Sequence, residues 1–139
     1  MFVDASALIA ILNDEPEKDL LLYKLEQGRA VPHVSTVTVL EAVEGYAKTV
    51  LSSDRDPVTP ELFEAARQDV ADLLEAIGAK QIGLTGHMTQ MALDYAARYG
   101  QGRHTAALSM NECLSVACAR AYHMPLLYAA KRFDRIEPV

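Results

Sequence analysis

The sequence predicts an α/β fold, in which a short parallel sheet of four or five strands lies between helices on both faces. Two observations predict it. Short apolar runs alternate along the chain with longer segments whose apolar residues recur at helical spacing. The chain has 139 residues, half of them hydrophobic, which suits a single domain over residues 1–139 with an adequate core. Because strands separated by helices pair in parallel, we expect a layered architecture.

The expected strands are short apolar runs bounded by turn residues or helix caps. They lie at Phe2-Val3, Val31–Val34, Lys80–Leu84 and Pro125–Tyr128, with Arg135-Ile136 as an optional fifth. The first strand leads directly into Asp4, which places a carboxylate at the tip of the strand. Ligands and catalytic groups collect at that edge of an open parallel sheet.

The expected helices begin at capping residues and end near glycine or at loops. They cover Ala5–Asn13, a segment restarting at Pro16 and ending at Gln27, Ser35 or Thr36 to about Ser52, Thr59–Ile77, Thr85–Tyr99 and Asn111–His123. Residues 52–60 and 101–109 have the composition of connecting loops.

Composition excludes several classes of protein. The net charge is −6, so the chain as a whole is not a basic nucleic-acid binder, although a local basic strip remains compatible with it. No apolar stretch is long enough to span a bilayer and no secretory signal is visible, so we expect a cytoplasmic protein without a membrane partner. Cys113 and Cys118 are five residues apart on one expected helix, which suits two buried hydrophobes better than a disulfide or a metal site.

Three carboxylates lie where the predicted fold could bring them together. Asp4 ends the first strand, Glu41 lies in the helix after the second strand, and Glu112 begins the helix before the fourth. Glu41 and Glu112 are embedded in apolar sequence, where a charge needs a partner. Each acid also has a simpler interpretation: Asp4 as a helix cap, Glu41 as an exposed charge like Glu44, and Glu112 as a stabiliser of a helix N-terminus.

A cluster of carboxylate oxygens suits a hard divalent ion such as Mg²⁺ or Mn²⁺. The corresponding chemistry is phosphodiester hydrolysis without a protein nucleophile. The sequence therefore predicts Asp4, Glu41 and Glu112 as candidate metal ligands and catalytic residues.

Four stretches of the chain resemble PIN-domain ribonucleases, specifically VapC-type toxins of bacterial toxin–antitoxin pairs. They are residues 1–12, residues 35–44, residues 99–108, and residues 125–128 together with Phe133. The resemblance spans nearly the whole chain in the same order. It implies a PIN-like three-layer fold, Mg²⁺- or Mn²⁺-dependent endonucleolytic cleavage of RNA, homodimerisation, and neutralisation by a VapB-like antitoxin.

By position in these motifs, the resemblance implies that Asp4, Glu41 and Glu112 are the acids of the site and that Ser6 supports the first. Two departures stand out. The third acid, usually Asp, is Glu112, with Asn111 in place of a glycine beside it. Where relatives have a further acid before Phe133, this chain has Lys131 and Arg132.

These departures leave alternatives open. Lys131 and Arg132, if they point inward, oppose cation binding; if they point outward, they and Arg103 could contact RNA phosphates. The chain is then either an active endoribonuclease, a weakened PIN scaffold that binds RNA or antitoxin without efficient cleavage, or a metal-dependent hydrolase of small phosphate esters. We expect the antitoxin to place an Arg or Lys in the acidic site.

Overall fold

The computed structural model of the protein describes residues 1–51 and 56–138. Its sheet has four parallel strands in the order β3-β2-β1-β4. The strands are β1 Phe2–Val3, β2 His33–Ser35, β3 Lys80–Ile82 and β4 Leu126–Leu127. The predicted parallel α/β fold is thereby confirmed, and β1 lies in the interior of the sheet.

The helices begin close to the residues expected to cap them. In the described residues they are α1 Ala5–Leu12, α2 Lys18–Gln27, α3 Thr36–Tyr46, α4 Pro60–Ala76, α5 Gly86–Tyr99 and α6 Met110–Ala121. Side chains of Asp4, Ser35, Thr59, Thr85 and Ser109 accept a hydrogen bond from the backbone of the helix that follows. Such caps satisfy N–H groups that have no partner within the helix. No helix in the described part of the chain is both long and apolar enough to cross a membrane.

The prediction of an optional fifth strand at Arg135-Ile136 is wrong. Residues Lys131–Arg135 form a 3-10 helix instead, and the side chain of Phe133 in this helix is buried. The side chain of Arg135 donates to the carbonyl of Thr105 at 2.9 Å, so this segment is fastened to the connector between α5 and α6. Burial of Phe133 and the bond from Arg135 to this connector favour a helical turn here over an extended edge strand.

The helix expected to continue to about Ser52 changes character after Tyr46. It becomes a π-helical segment at Ala47–Leu51, and Ser52 lies outside the described residues. The hydroxyl of Thr49 donates to the carbonyl of Gly45 at 2.7 Å. A threonine side chain that competes for this carbonyl disfavours the regular α-helical pattern.

Two apolar cores flank the sheet, because alternate residues of a strand point to opposite faces. Val3 packs with buried residues of α1 to α4 on one face. Phe2 packs with α5, α6 and Phe133 on the other. This three-layer arrangement holds the C-terminal end of β1 between the two helical layers, where Asp4 lies.

Candidate active site

Asp4 is 2% exposed, and both of its carboxylate oxygens accept hydrogen bonds. Oδ2 accepts from the backbone N–H of Ser6 at 2.9 Å and from its hydroxyl at 2.6 Å, while Oδ1 accepts from the hydroxyl of Ser115 at 2.6 Å. Asp4 is also the N-cap of α1. Helix capping and presentation of a carboxylate at the strand tip are therefore compatible, since Oδ1, which accepts a single hydrogen bond, keeps acceptor capacity.

Ser6 joins Asp4 to the loop that follows β4. Its hydroxyl donates to Asp4 and accepts from the backbone N–H groups of Ala129 and Ala130 at 3.1 and 3.2 Å. One side chain thus fixes the orientation of the carboxylate and the path of the chain entering the 3-10 helix.

Glu41, rather than Glu44, belongs to the acidic cluster. Burial, then the charge of Asp4 and to a smaller extent that of Glu112, raise the pKa of the Glu41 carboxyl, whose net value is about 7. A hydrogen bond from the Asn111 side chain and the charge of Arg132 act in the opposite direction. Glu44 is instead exposed and pairs with Lys48 at 2.7 Å.

Glu112 is buried at the beginning of α6 and both of its oxygens have partners. Oε2 accepts from the backbone N–H of Ser109 at 2.8 Å, and the Ser109 hydroxyl accepts from the N–H of Glu112 at 3.2 Å, which forms a capping box. Oε1 lies 3.2 Å from Nη2 of Arg132. The interpretation of Glu112 as a helix-stabilising residue therefore holds as well.

The three predicted basic contacts have different environments. Arg132 points inward to Glu112, with Nη1 3.5 Å from the carbonyl of Ala107. Lys131 lines a surface cavity together with Met1 and Lys24, and none of the three acids is among the residues that line it. Nε of Arg103 donates to the carbonyl of Ala96 at 2.8 Å, which satisfies the C-terminal end of α5.

Sequence reasoning missed Ser115 as a partner of Asp4 and did not assign Asn111 a contact. Ser115 lies three residues after Glu112, so both side chains emerge from the same face of α6. That spacing was the available signal. The sequence contains no comparable indication that the face would meet Asp4, which is 111 residues away.

The donor chemistry of the site fits a hard divalent ion, but the present arrangement offers it only part of a ligand set. Asp4 and Glu41 supply carboxylate oxygens, and burial together with the charge of Asp4 raises the pKa of Glu41. Both oxygens of Glu112 are engaged by Ser109 and Arg132. Accordingly, within residues 1–51 and 56–138, no three His, Cys, Asp or Glu side chains are already gathered as a metal-binding group.

Comparison with known proteins agrees with this architecture. The PIN domain family matches residues 1–138. A VapC ribonuclease of Rhizobium meliloti is 30% identical over 138 residues, covering 98% of this chain and 97% of the relative. A VapC ribonuclease of Mycolicibacterium smegmatis is 36% identical over 134 residues, covering 96% and 93%. Ribonuclease VapC36 of Mycobacterium tuberculosis is 31% identical over 137 residues, covering 99% and 90%.

A solved structure shares the fold. Mycobacterium tuberculosis VapC20, described as a toxin that cleaves the sarcin-ricin loop, superposes with a TM-score of 0.72 over 99% of this chain and 95% of its own, at 15% identity. The chain therefore belongs to the PIN-domain family and, within it, to the VapC-like toxin endoribonucleases.

Proposed function

We propose that this protein cleaves RNA phosphodiester bonds in a reaction that depends on Mg²⁺ or Mn²⁺ held by Asp4, Glu41 and Glu112. The observation that supports the proposal most directly is the raised pKa of Glu41, to about 7, caused by its burial beside Asp4 and Glu112. A buried acid whose pKa is raised by burial and by neighbouring carboxylates marks a site that favours a cation. A divalent ion held there by Asp4, Glu41 and Glu112 would supply a Lewis acid for a phosphoryl oxygen and lower the pKa of a bound water.

The chain's own residues orient the ligands. Ser6 and Ser115 each donate to a different oxygen of Asp4, so its carboxylate plane is fixed before any ion arrives. The Asn111 side chain forms a hydrogen bond with the Glu41 carboxyl that favours its charged form. Second-layer hydrogen bonds of this kind restrict ligand orientation and support metal affinity.

RNA binding by a protein of net charge −6 requires local positive charge to contact the phosphates. We assign this role to the exposed side chains of Arg103 and Lys131, because phosphate contacts position a nucleic acid irrespective of its sequence. Arg132 is engaged by Glu112, so its part in RNA binding is secondary in this arrangement.

The decisive experiment measures Mg²⁺-dependent cleavage of structured and single-stranded RNA by the wild type and by Asp4→Asn. We expect cleavage to require the ion and to fall by at least about 100-fold in the variant, because a coordinating carboxylate is lost. Glu41→Gln should behave likewise, and Glu44→Gln is its matched control on the same helix. Equal turnover by wild type and Asp4→Asn would refute the proposal, and preference for a small phosphate ester over RNA would favour the general hydrolase.

One observation favours a second candidate function, that of a weakened PIN scaffold. The ion pair between Arg132 and Glu112 places a guanidinium beside an acid expected to bind metal. RNA binding without turnover by the wild type would support this alternative, whereas robust turnover would exclude it.

Partners follow from the relatives' classification as VapC ribonucleases. We propose that a VapB-like antitoxin neutralises the protein in the cytoplasm, and that the protein is a homodimer. The antitoxin should place an Arg or Lys in the acidic site, so its binding should weaken as Mn²⁺ is added. Light scattering of the isolated protein tests the dimer.

A further inference from the structure

We propose that Arg132 is an internal counter-ion of the acidic site, which competes with the divalent ion for Glu112 and must move outward before Glu112 can bind metal. This inference deepens the proposed function and rests on it. Arg132 stands in the segment where relatives have a further acid, and in this structure it forms an ion pair with Glu112.

The geometry of the ion pair is asymmetric in a way that suits competition. The Glu112 side chain is 8% exposed, whereas that of Arg132 is 50% exposed, and their nearest charged atoms are 3.2 Å apart. The acid is therefore fixed inside the site while the guanidinium approaches it from solvent. Surface-facing partners of this kind exchange readily with water and ions.

The backbone beneath Arg132 is held, so that only its side chain needs to move. Ser6 accepts hydrogen bonds from Ala129 and Ala130 just before the 3-10 helix. Phe133, just after Arg132, is buried and packs against Tyr128 with ring centroids 4.9 Å apart. The guanidinium can leave Glu112 by side-chain rotation while the loop stays in place.

The carboxylate that Arg132 neutralises is one that the metal site needs. Oε2 of Glu112 accepts from the backbone of Ser109, whereas Oε1 faces the guanidinium of Arg132, so Oε1 is the oxygen for which a divalent ion would compete with Arg132. A divalent ion and a guanidinium cannot both approach this oxygen closely, because their charges repel each other. Occupation by one therefore lowers the affinity for the other.

Mn²⁺ binding, measured by calorimetry and by loss of the free-ion electron paramagnetic resonance signal, tests the inference without relying on activity. Arg132→Gln should bind Mn²⁺ about tenfold more tightly than the wild type, because removing one cationic competitor has an effect on the order of one decade. Arg132→Lys, which keeps the charge, should remain within about threefold of the wild type.

Arg135→Gln is the matched control. Arg135 lies in the same 3-10 helix as Arg132, and both side chains donate to a carbonyl of the connector between α5 and α6. The described partner of Arg135 is the carbonyl of Thr105, not an acid of the site. Arg135→Gln should change Mn²⁺ affinity by less than about twofold. A similar gain in Mn²⁺ affinity in Arg132→Gln and Arg135→Gln would mean that a weaker hold on the connector, and not loss of the ion pair with Glu112, causes the gain. That result would overturn the inference.

The outcomes separate this inference from the proposed function. Equal Mn²⁺ affinity in wild type and Arg132→Gln, with binding abolished by Asp4→Asn, overturns the role of Arg132 and leaves the metal site standing. No binding by any variant overturns both. Tighter binding by Arg132→Gln without RNA cleavage supports the counter-ion role and counts against the nuclease.

Discussion

At the scale of single residues, the site is organised by hydroxyl groups as much as by acids. Ser6 and Ser115 reach Asp4 from two different elements, and Ser109 forms the capping box with Glu112. The acids and Ser6 could be predicted from motif and position. Ser115 could not, because its contact joins residues 111 positions apart and depends on the packing of α6 against β1.

Replacing Ser115 tests this organisation. Ser115→Ala removes the donor to Oδ1 of Asp4, leaving a buried carboxylate oxygen with one partner fewer. We expect the free energy of unfolding to fall by about 1–3 kcal/mol and Mn²⁺ affinity to fall by about 10-fold. Urea titration and calorimetry measure the two effects.

Thr89→Ala is the control for Ser115→Ala. It removes an exposed hydroxyl bonded to the carbonyl of Thr85 within α5, and its effect on unfolding should stay within about 0.5 kcal/mol. A loss of stability no larger in Ser115→Ala than in Thr89→Ala would show that the bond to Asp4 contributes little.

At the scale of elements, caps and periodicity predicted the helices and four strands well, because these signals are local. The failures arose where distant packing decides. Arg135-Ile136 has the composition of a strand edge, yet burial of Phe133 and the bond from Arg135 to the connector favour a 3-10 helix. The π-helical segment after α3 is a local exception: the Thr49 hydroxyl donates to the carbonyl of Gly45, four residues earlier, a contact that apolar periodicity does not reveal.

Two glycines at opposite ends of α5 should respond oppositely to alanine. A Cβ at Gly100 would collide with the carbonyl oxygen of Ala96 and lie 2.5 Å from a nitrogen of Arg103, so Gly100→Ala should destabilise the fold by about 1–3 kcal/mol. A Cβ at Gly86 meets nothing within 4 Å, and Gly86→Ala should stabilise by about 0.4–1 kcal/mol. Thermal unfolding of both variants tests this, and destabilisation by Gly86→Ala would contradict it.

At the scale of the whole molecule, the acidic cluster makes stability depend on pH. The pKa of Glu41 rises from 4.5 to about 7 on folding, so the folded protein holds a proton that the unfolded chain has released between these values. Folding then takes up a proton, and the contribution of Glu41 to stability is present below pH 4.5 and is lost as pH rises through about 7.

Urea unfolding in the presence of a chelator at several pH values measures this dependence. Glu41→Gln should flatten the decline in stability between about pH 5 and pH 8. The control Glu44→Gln should keep it, because Lys48 lowers the pKa of Glu44 and its titration lies below this window. Parallel curves for wild type and Glu41→Gln would show that the Glu41 carboxyl is not perturbed.

The position of β1 inside the sheet has a consequence for biosynthesis. Asp4 and Ser6 are made before their partners Ser115 and Ala130, which follow 111 and 124 residues later. Domains emerge from the ribosome N-terminus first, and contacts between distant residues form late in folding. A nascent chain therefore carries Asp4 with Ser6 but without Ser115, and the arrangement that orients both carboxylate oxygens forms only after residues 115–130 have been made.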